Sequence, residues 1–383
     1  MAHTEALGQA AVPGSRLPQW LSVVALIYVL IGAVGLIGTG FKAATGGQAQ
    51  ELFSFATNPY VGLVIGIVAT ALIQSSSTVT SLIVGMVAGG LPVAIAVPMV
   101  MGSNIGTTVT NTLVSLGHVR NKEEFRRAFA AATVHDFFNL LAVVIFLPLE
   151  IMFGLLERCA AAITGFFMGD ANLSMSGMNF MSMLTRPLVG TLEAVSNLLP
   201  GVFAGLAMVV IGLVLIFLAI TYIGKLLKVL MVGKAKEVMH SAIGKGQITG
   251  ILSGTLVTVF VQSSSTTTSL MVPLAGAGTF SLKQIYPFML GSNIGTTITA
   301  LLAATAVGGA VAVSAMQIAL VHMLFNVLAV VVIFGLPFLR NLPILGAEML
   351  GALAAERKIY AAAWILGVFL VLPLLLIAVT TIF

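Results

Sequence analysis

The chain has 383 residues, 59% of them hydrophobic and only 8% charged, where an ordinary soluble domain carries about 25% charge; water is not the solvent for most of its surface. The formal charge of +5 does not make it a nucleic-acid binder, because the basic residues fall in short loops between apolar stretches, where they read as cytoplasmic loop charge. One cysteine, Cys159, excludes an internal disulfide and a cysteine metal cluster, and reads as a small buried residue.

Residues 1–18 are polar and mixed, with Pro13 and Pro18, and read as a cytoplasmic N-terminal tail. The apolar run from Trp20 is too long for a signal peptide and reads as a first membrane helix. A crossing of about 30 Å needs roughly 20 apolar residues. Full-length candidates are Trp20–Phe41, Phe125–Leu149, Pro200–Tyr222, Val313–Leu339 and Tyr360–Phe383. Four other apolar stretches are interrupted. Pro59–Gly89 is broken by Gln74-Ser75-Ser76-Ser77-Thr78, and Pro92–Leu116 by Gly102-Ser103-Asn104-Ile105-Gly106. Gly246–Gly278 is broken by Gln262-Ser263-Ser264-Ser265-Thr266, and Tyr286–Val307 by Gly291-Ser292-Asn293-Ile294-Gly295.

The interruptions come in pairs. QSSST at 74–78 recurs at 262–266, GSNIGTT at 102–108 recurs at 291–297, and the His135–Asn139 pattern recurs at His322–Asn326. Three motifs in one order at nearly constant offset mean an internal duplication. The loop His118–Arg127 carries Arg120, Lys122, Arg126 and Arg127, whereas its counterpart Ala304–Val313 carries no charge. The positive-inside rule puts these equivalent loops on opposite sides, so the repeats are inverted. Lys225, Lys228, Lys234, Lys236 and Lys245 mark another cytoplasmic stretch. The expected fold is an all-α membrane protein of two inverted-topology repeats. Each repeat has a re-entrant helical hairpin at QSSS and a discontinuous membrane helix at GSNIG. Repeat 1 spans 19–149, an external or interfacial connector 150–198, repeat 2 199–340, and an interfacial segment with the final crossing 341–383.

Non-helical backbone at membrane depth is tolerated where it lines a polar cavity, so the breaks point to one shared site near the midplane. Helix N-termini there favour anions, and unwound carbonyls favour small cations such as Na+. Ser75, Ser76, Ser77 and Thr78 with Ser263, Ser264, Ser265 and Thr266 supply hydroxyls, and Gln74, Gln262, Asn104 and Asn293 supply amides. Together these can hold an oxyanion and alkali cations. No Lys or Arg lies in any of the four motifs. Bound Na+ could therefore supply the positive charge a desolvated anion needs, a physical reason for cotransport. GSNIG also fits a close-packing glycine pair. His135 and His322 fit helix-to-helix hydrogen bonding as well as function. Asp136, opposite Met323 in the second repeat, is either a functional intramembrane acid or an interfacial capping charge.

The QSSST pair, GSNIGTT-x-TNT, Phe125-Arg126-Arg127-Ala128-Phe129 and Val134–Asn139 resemble the type II sodium-dependent phosphate cotransporters over roughly 20–380, and the chain looks like a bacterial member. The resemblance implies sodium-driven symport of inorganic phosphate across a bacterial plasma (inner) membrane, with Na+ cotransported and no organic cofactor. It makes Gln74, Ser75, Ser76, Ser77, Ser263, Ser264 and Ser265 phosphate-site candidates, to which the midplane argument adds Asn104 and Asn293. Its sodium candidates are Ser77, Thr78, Gln262, Ser292 and Thr296. Animal members carry a long cysteine-containing external loop and a further C-terminal helix with a cytoplasmic tail. Here 150–198 is short, and the C-terminus is expected outside.

Three rivals remain. A passive channel could use hydroxyl rings and re-entrant hairpins, although inverted halves favour alternating access. A transporter of another small oxyanion is compatible with the composition. An intramembrane serine hydrolase lacks its usual turn, and the serines are duplicated, so no catalytic chemistry is expected. The oligomeric state, a homodimer included, is open.

Overall fold

The computed structural model describes residues 17–168, 171–243, 245–309 and 311–382, and every regular element in them is helical. The first repeat opens with α1 (Leu17–Thr45) and continues through α2 (Pro59–Ile73), α3 (Ser76–Ala88), α4 (Val93–Gly106), α5 (Val109–Ser115) and α6 (Lys122–Phe153). Two connector helices follow, α7 (Leu155–Met168) and α8 (Ala171–Ser196). The second repeat runs through α9 (Val202–Ala242), α10 (Gln247–Val261), α11 (Ser264–Ser269), α12 (Met271–Gly276), α13 (Leu282–Ala304) and α14 (Ala312–Ala329). The chain ends in α15 (Pro337–Glu356), α16 (Ile359–Leu366) and α17 (Leu372–Ile382).

Seven of these segments are long and apolar enough to cross a membrane: Leu17–Thr45, Val93–His118, Lys122–Phe153, Val202–Leu227, Leu282–Ala304, Ala312–Phe334 and Ile359–Ala378. They match the seven expected crossings. One boundary shifts: α14 runs on through a π-turn to Phe334, and α15 has begun by Pro337, inside the expected span to Leu339. The hairpin arms α2 and α10 have 15 residues each, or about 22 Å of helix, too short for the hydrocarbon core. Of the expected tail 1–18, Leu17 and Pro18 open α1; residues 1–16, and the side chains of Lys228, Lys234 and Lys236, lie outside the described residues. Cys159 is free and half-exposed, not buried, on α7.

The surface is reversed relative to a water-soluble protein. Leu72, Val144, Phe166 and Leu252 point outward, whereas His135, Asp136, Asn139, His322 and Asn326 are buried. That distribution suits hydrocarbon as solvent, where polar groups must find partners inside the protein.

Glycines weld each hairpin to the helix that follows it. A Cβ on Gly66 would lie 2.0 Å from the Met99 carbonyl oxygen, and one on Gly102 2.0 Å from that of Leu63. In the second repeat the corresponding distances are 1.9 Å for Gly254 to Phe288 and 1.9 Å for Gly291 to Ile251. Backbone therefore packs on backbone in both halves, with α2 parallel to α4 and α10 parallel to α13. The first helices of the two repeats pack in the opposite sense. Gly40 of α1 meets Gly205 of α9, and earlier on α1 the Ala33 carbonyl meets Gly212, so with rising number on one helix the partner number falls. Equivalent helices running antiparallel are what inverted repeats require.

This packing corrects the GSNIG expectation. The helix α13 is continuous from Leu282 to Ala304 straight through Gly291–Gly295. In the first repeat α4 includes Gly102–Gly106, and the helix breaks only at Thr107–Thr108, before α5. The two glycines of each motif lie one turn apart and serve close helix approach, the use small residues have in membrane bundles.

Candidate functional site

Both hairpins turn in the same way. The helices α2 and α10 end on Gln74 and Gln262 with φ of 59° and 55°, the only positive values among described non-glycine residues. The next residues, Ser75 and Ser263, are extended and cap the returning helices. The Ser75 hydroxyl accepts from the Thr78 N–H at 3.2 Å, and the Ser263 hydroxyl accepts from the Thr266 N–H at 3.2 Å. Serine is a favoured N-cap because its oxygen satisfies one of the orphan donors of the first turn. The left-handed glutamine reverses the chain, and the serine restarts the helix.

Each glutamine is held at both ends of its amide. Gln74 Oε1 accepts from the Thr110 hydroxyl at 2.8 Å, and Gln262 Oε1 accepts from the Thr299 hydroxyl at 3.0 Å. Gln262 Nε2 donates to the Val259 carbonyl at 2.6 Å, and Gln74 Nε2 donates to that of Ala71. The threonines stand at equal positions after GSNIGTT, so the repeated T-x-T ending was the signal for them.

The tips meet in one cavity of about 410 Å³, lined by 73–77 of the first hairpin, 261–266 of the second, and Phe217, Ile220, Thr221, Gly224 and Lys225 of α9. At about 30 Å³ per water, it has room for an oxyanion with ions and solvent. Of the expected site residues, Gln74, Ser75, Ser76, Ser77, Gln262, Ser263, Ser264 and Ser265 line it. Thr78 does not, because it is buried with its hydroxyl donated to Ser75 at 2.8 Å. Ser292 and Thr296 lie buried on α13 and donate to their own helix, to Met289 at 3.0 Å and Ser292 at 2.9 Å. Their oxygens keep lone pairs for a cation, but they are not part of the cavity wall. Lys225 and Thr221 escaped sequence reasoning, which placed Lys225 with the cytoplasmic loop charge.

Asn104 and Asn293 were expected at the anion site and are engaged elsewhere. His135 Nε2 donates to Asn293 Oδ1 at 2.6 Å, and Asn293 Nδ2 donates to Asn139 Oδ1 at 2.8 Å. The second repeat returns the arrangement: His322 Nε2 donates to Asn104 Oδ1 at 3.2 Å, and Asn104 Nδ2 donates to Asn326 Oδ1 at 2.8 Å. Each half thus supplies the His and Asn that hold the asparagine of the other, and the histidines do serve helix-to-helix bonding. Asp136 is buried, which removes the reading as an interfacial cap. Its Oδ2 accepts from Trp364 Nε1 at 2.8 Å.

Among the described residues no cluster of three or more His, Cys, Asp or Glu forms. The oxygen donors at the tips are hydroxyls, amides and backbone, a set suited to alkali cations. Two capped hairpins carrying the duplicated motifs, their tips meeting in one cavity beside helices long and apolar enough to cross a membrane, place the chain among multi-pass integral membrane proteins. The family model described as Na+/Pi-cotransporter matches residues 29–183 and 215–340. The chain is 34% identical to sodium-dependent phosphate transport protein 2A of Rattus norvegicus, over 96% of this chain and 68% of that protein. It is 31% identical to sodium-dependent phosphate transport protein 2B of Homo sapiens, over 92% of this chain and 64% of that protein. No solved structure matches it. The chain belongs to the Na+/Pi-cotransporter family.

Proposed function

We propose that the chain is a symporter that carries inorganic phosphate into the cell with Na+ by alternating access. The observation that carries this reading is the convergence of both QSSS tips on a single cavity. Hydroxyls and the N–H groups at the starts of α3 and α11 supply donors to the anion. Na+ is held by hydroxyl and carbonyl oxygens beside it, with Ser77, Gln262, Ser292 and Thr296 as candidates, and offsets the anion's charge in a site of low dielectric. Neither ion then binds well without the other, which couples their movement.

The test is radiolabelled phosphate uptake into proteoliposomes, with and without an inward Na+ gradient, for wild type and Gln262→Ala. Gradient-driven, saturable accumulation that the substitution weakens supports the symporter, and arsenate, a like tetrahedral oxyanion, should compete. Uptake indifferent to Na+ removes the coupling. Flux that never exceeds equilibration indicates a channel, and transport of another anion in place of phosphate removes the substrate.

A further inference from the structure

The hairpin tips are neutral, yet the cavity wall is not. Of the residues lining it, Lys225 alone carries a charge. It comes from outside the duplicated motifs, on α9. We propose that Lys225 is a fixed cationic partner of the transported anion, positioning phosphate against the hairpin tips. This rests on the phosphate-symport reading and adds the residue that recognises the anion's charge.

Three observations carry it. First, the packing of α9 fixes where Lys225 stands. A Cβ on Gly224 would come within 3.1 Å of the Val261 carbonyl oxygen, so α9 touches the second hairpin one residue before its left-handed Gln262. The next residue of α9 is therefore held beside the tip. Second, the ammonium is uncommitted. It sits over the ring of Tyr222 on its own helix, 5.0 Å from Nζ to centroid, and among the described residues it makes no ion pair. A lysine without a carboxylate partner, on a four-carbon stem, can turn its three donors to an anion. Third, the other donors in the cavity are hydroxyls, amides and backbone N–H groups. These orient an oxyanion but do not balance its charge, whereas a charge-assisted hydrogen bond is roughly twice as strong as a neutral one. Na+ then supplies only the remainder of the balance.

The assay is the same proteoliposome uptake, read as phosphate KM and maximal rate at saturating Na+, for wild type, Lys225→Gln and Lys225→Arg. The expected result for Lys225→Gln is a phosphate KM raised about tenfold, the lower range for losing a charged hydrogen bond, with the maximal rate largely kept. Lys225→Arg should lie near wild type. A chemical variant guards against misfolding. Lys225→Cys on a Cys159→Ser background is modified after reconstitution, with 2-aminoethyl methanethiosulfonate to restore a cation or 2-sulfonatoethyl methanethiosulfonate to install an anion. The cationic adduct should recover the low KM and the anionic one should raise it further. A purely structural lysine would not make KM follow the sign of the adduct. If wild type shows Na+-driven phosphate uptake and KM is the same in Lys225→Gln and with both adducts, the inference is overturned and the symport reading stands. If wild type carries no phosphate, the symport reading falls and takes the inference with it.

Discussion

The left-handed glutamine at each hairpin tip separates turn geometry from side-chain chemistry, and Gln262 lets the two be measured. A non-glycine residue in that conformation costs about 1–2 kcal/mol, which Gln262 bears at φ 55°. Against it stand the bonds to Val259 at 2.6 Å and Thr299 at 3.0 Å, each contributing about 0.5–1.5 kcal/mol net. Gln262→Ala loses both bonds and keeps the strain, so it should destabilise by about 1–3 kcal/mol. Gln262→Gly loses both bonds but relieves the strain, less a few tenths for added freedom of the unfolded chain, and should be about 1 kcal/mol more stable than the alanine variant. The expected order of unfolding temperature in detergent, followed by tryptophan fluorescence, is wild type, then glycine, then alanine. Gln262 Oε1 keeps one lone pair for Na+, so phosphate KM is read at saturating Na+, where it should follow the same order. Alanine and glycine variants equal in both readouts would refute the argument that the residue acts by holding the turn.

Gly254→Ala places a methyl group 1.9 Å from the Phe288 carbonyl oxygen, so the helices must separate at a cost of at least about 1–3 kcal/mol; a sharp fall in folded yield is expected, while Gly165→Ala, with nothing within 4 Å, should be silent. Asn293→Ala leaves the His135 N–H and the Asn139 Oδ1 without their partner, at about 1–3 kcal/mol for each buried group, and Asn104→Ala should do the same to His322 and Asn326; unfolding temperatures falling by similar amounts in the two variants would show the halves sharing the load. Glu356→Gln removes the Lys122 ion pair at 2.5 Å, but both side chains are more than half exposed, so the unfolding temperature should not move.

The spans and hairpins were legible because length and hydropathy decide whether a segment can cross a bilayer, and the paired QSSST motifs mark where it cannot. The Gln-Ser pair could be read as polar groups, but its division of labour, left-handed reversal by Gln74 and capping by Ser75, depends on backbone angles that no composition displays. GSNIG misled for a physical reason. Glycine flanking a polar residue is compatible with an unwound helix and with close packing, and only the tertiary fit, in which a Cβ on Gly102 or Gly291 would lie 2.0 or 1.9 Å from a neighbouring carbonyl oxygen, distinguishes them. Asn104 and Asn293 followed, since a buried amide is satisfied equally by a substrate or by a histidine from the other repeat. Lys225 was invisible as a site residue because it belongs to no repeated motif; only the tertiary approach of Gly224 to Val261 brings it to the tips.

The duplicated halves differ in one contact that bears on movement. The helix α1 packs along the returning arm of its own hairpin, where a Cβ on Gly38 would lie 3.2 Å from the Ala88 Cβ, whereas α9 packs against the entering arm of its hairpin at Val261. If the two repeats exchange arrangements, as the alternating-access proposal requires, related helices held in two different ways correspond to one end of the cycle. A disulfide needs Cβ atoms about 3.8 Å apart, so cysteines replacing Gly38 and Ala88 on a Cys159→Ser background can bridge with a few tenths of an ångström of adjustment. Both positions line a second cavity of about 500 Å³ with Arg186 and Glu193, which admits the oxidant. If α1 parts from the returning arm during transport, oxidation stops Na+-driven phosphate uptake and a reductant restores it. Undiminished uptake by the fully cross-linked protein would mean that α1 and the first hairpin travel as one body, and that the asymmetry belongs to the resting architecture and not to the cycle.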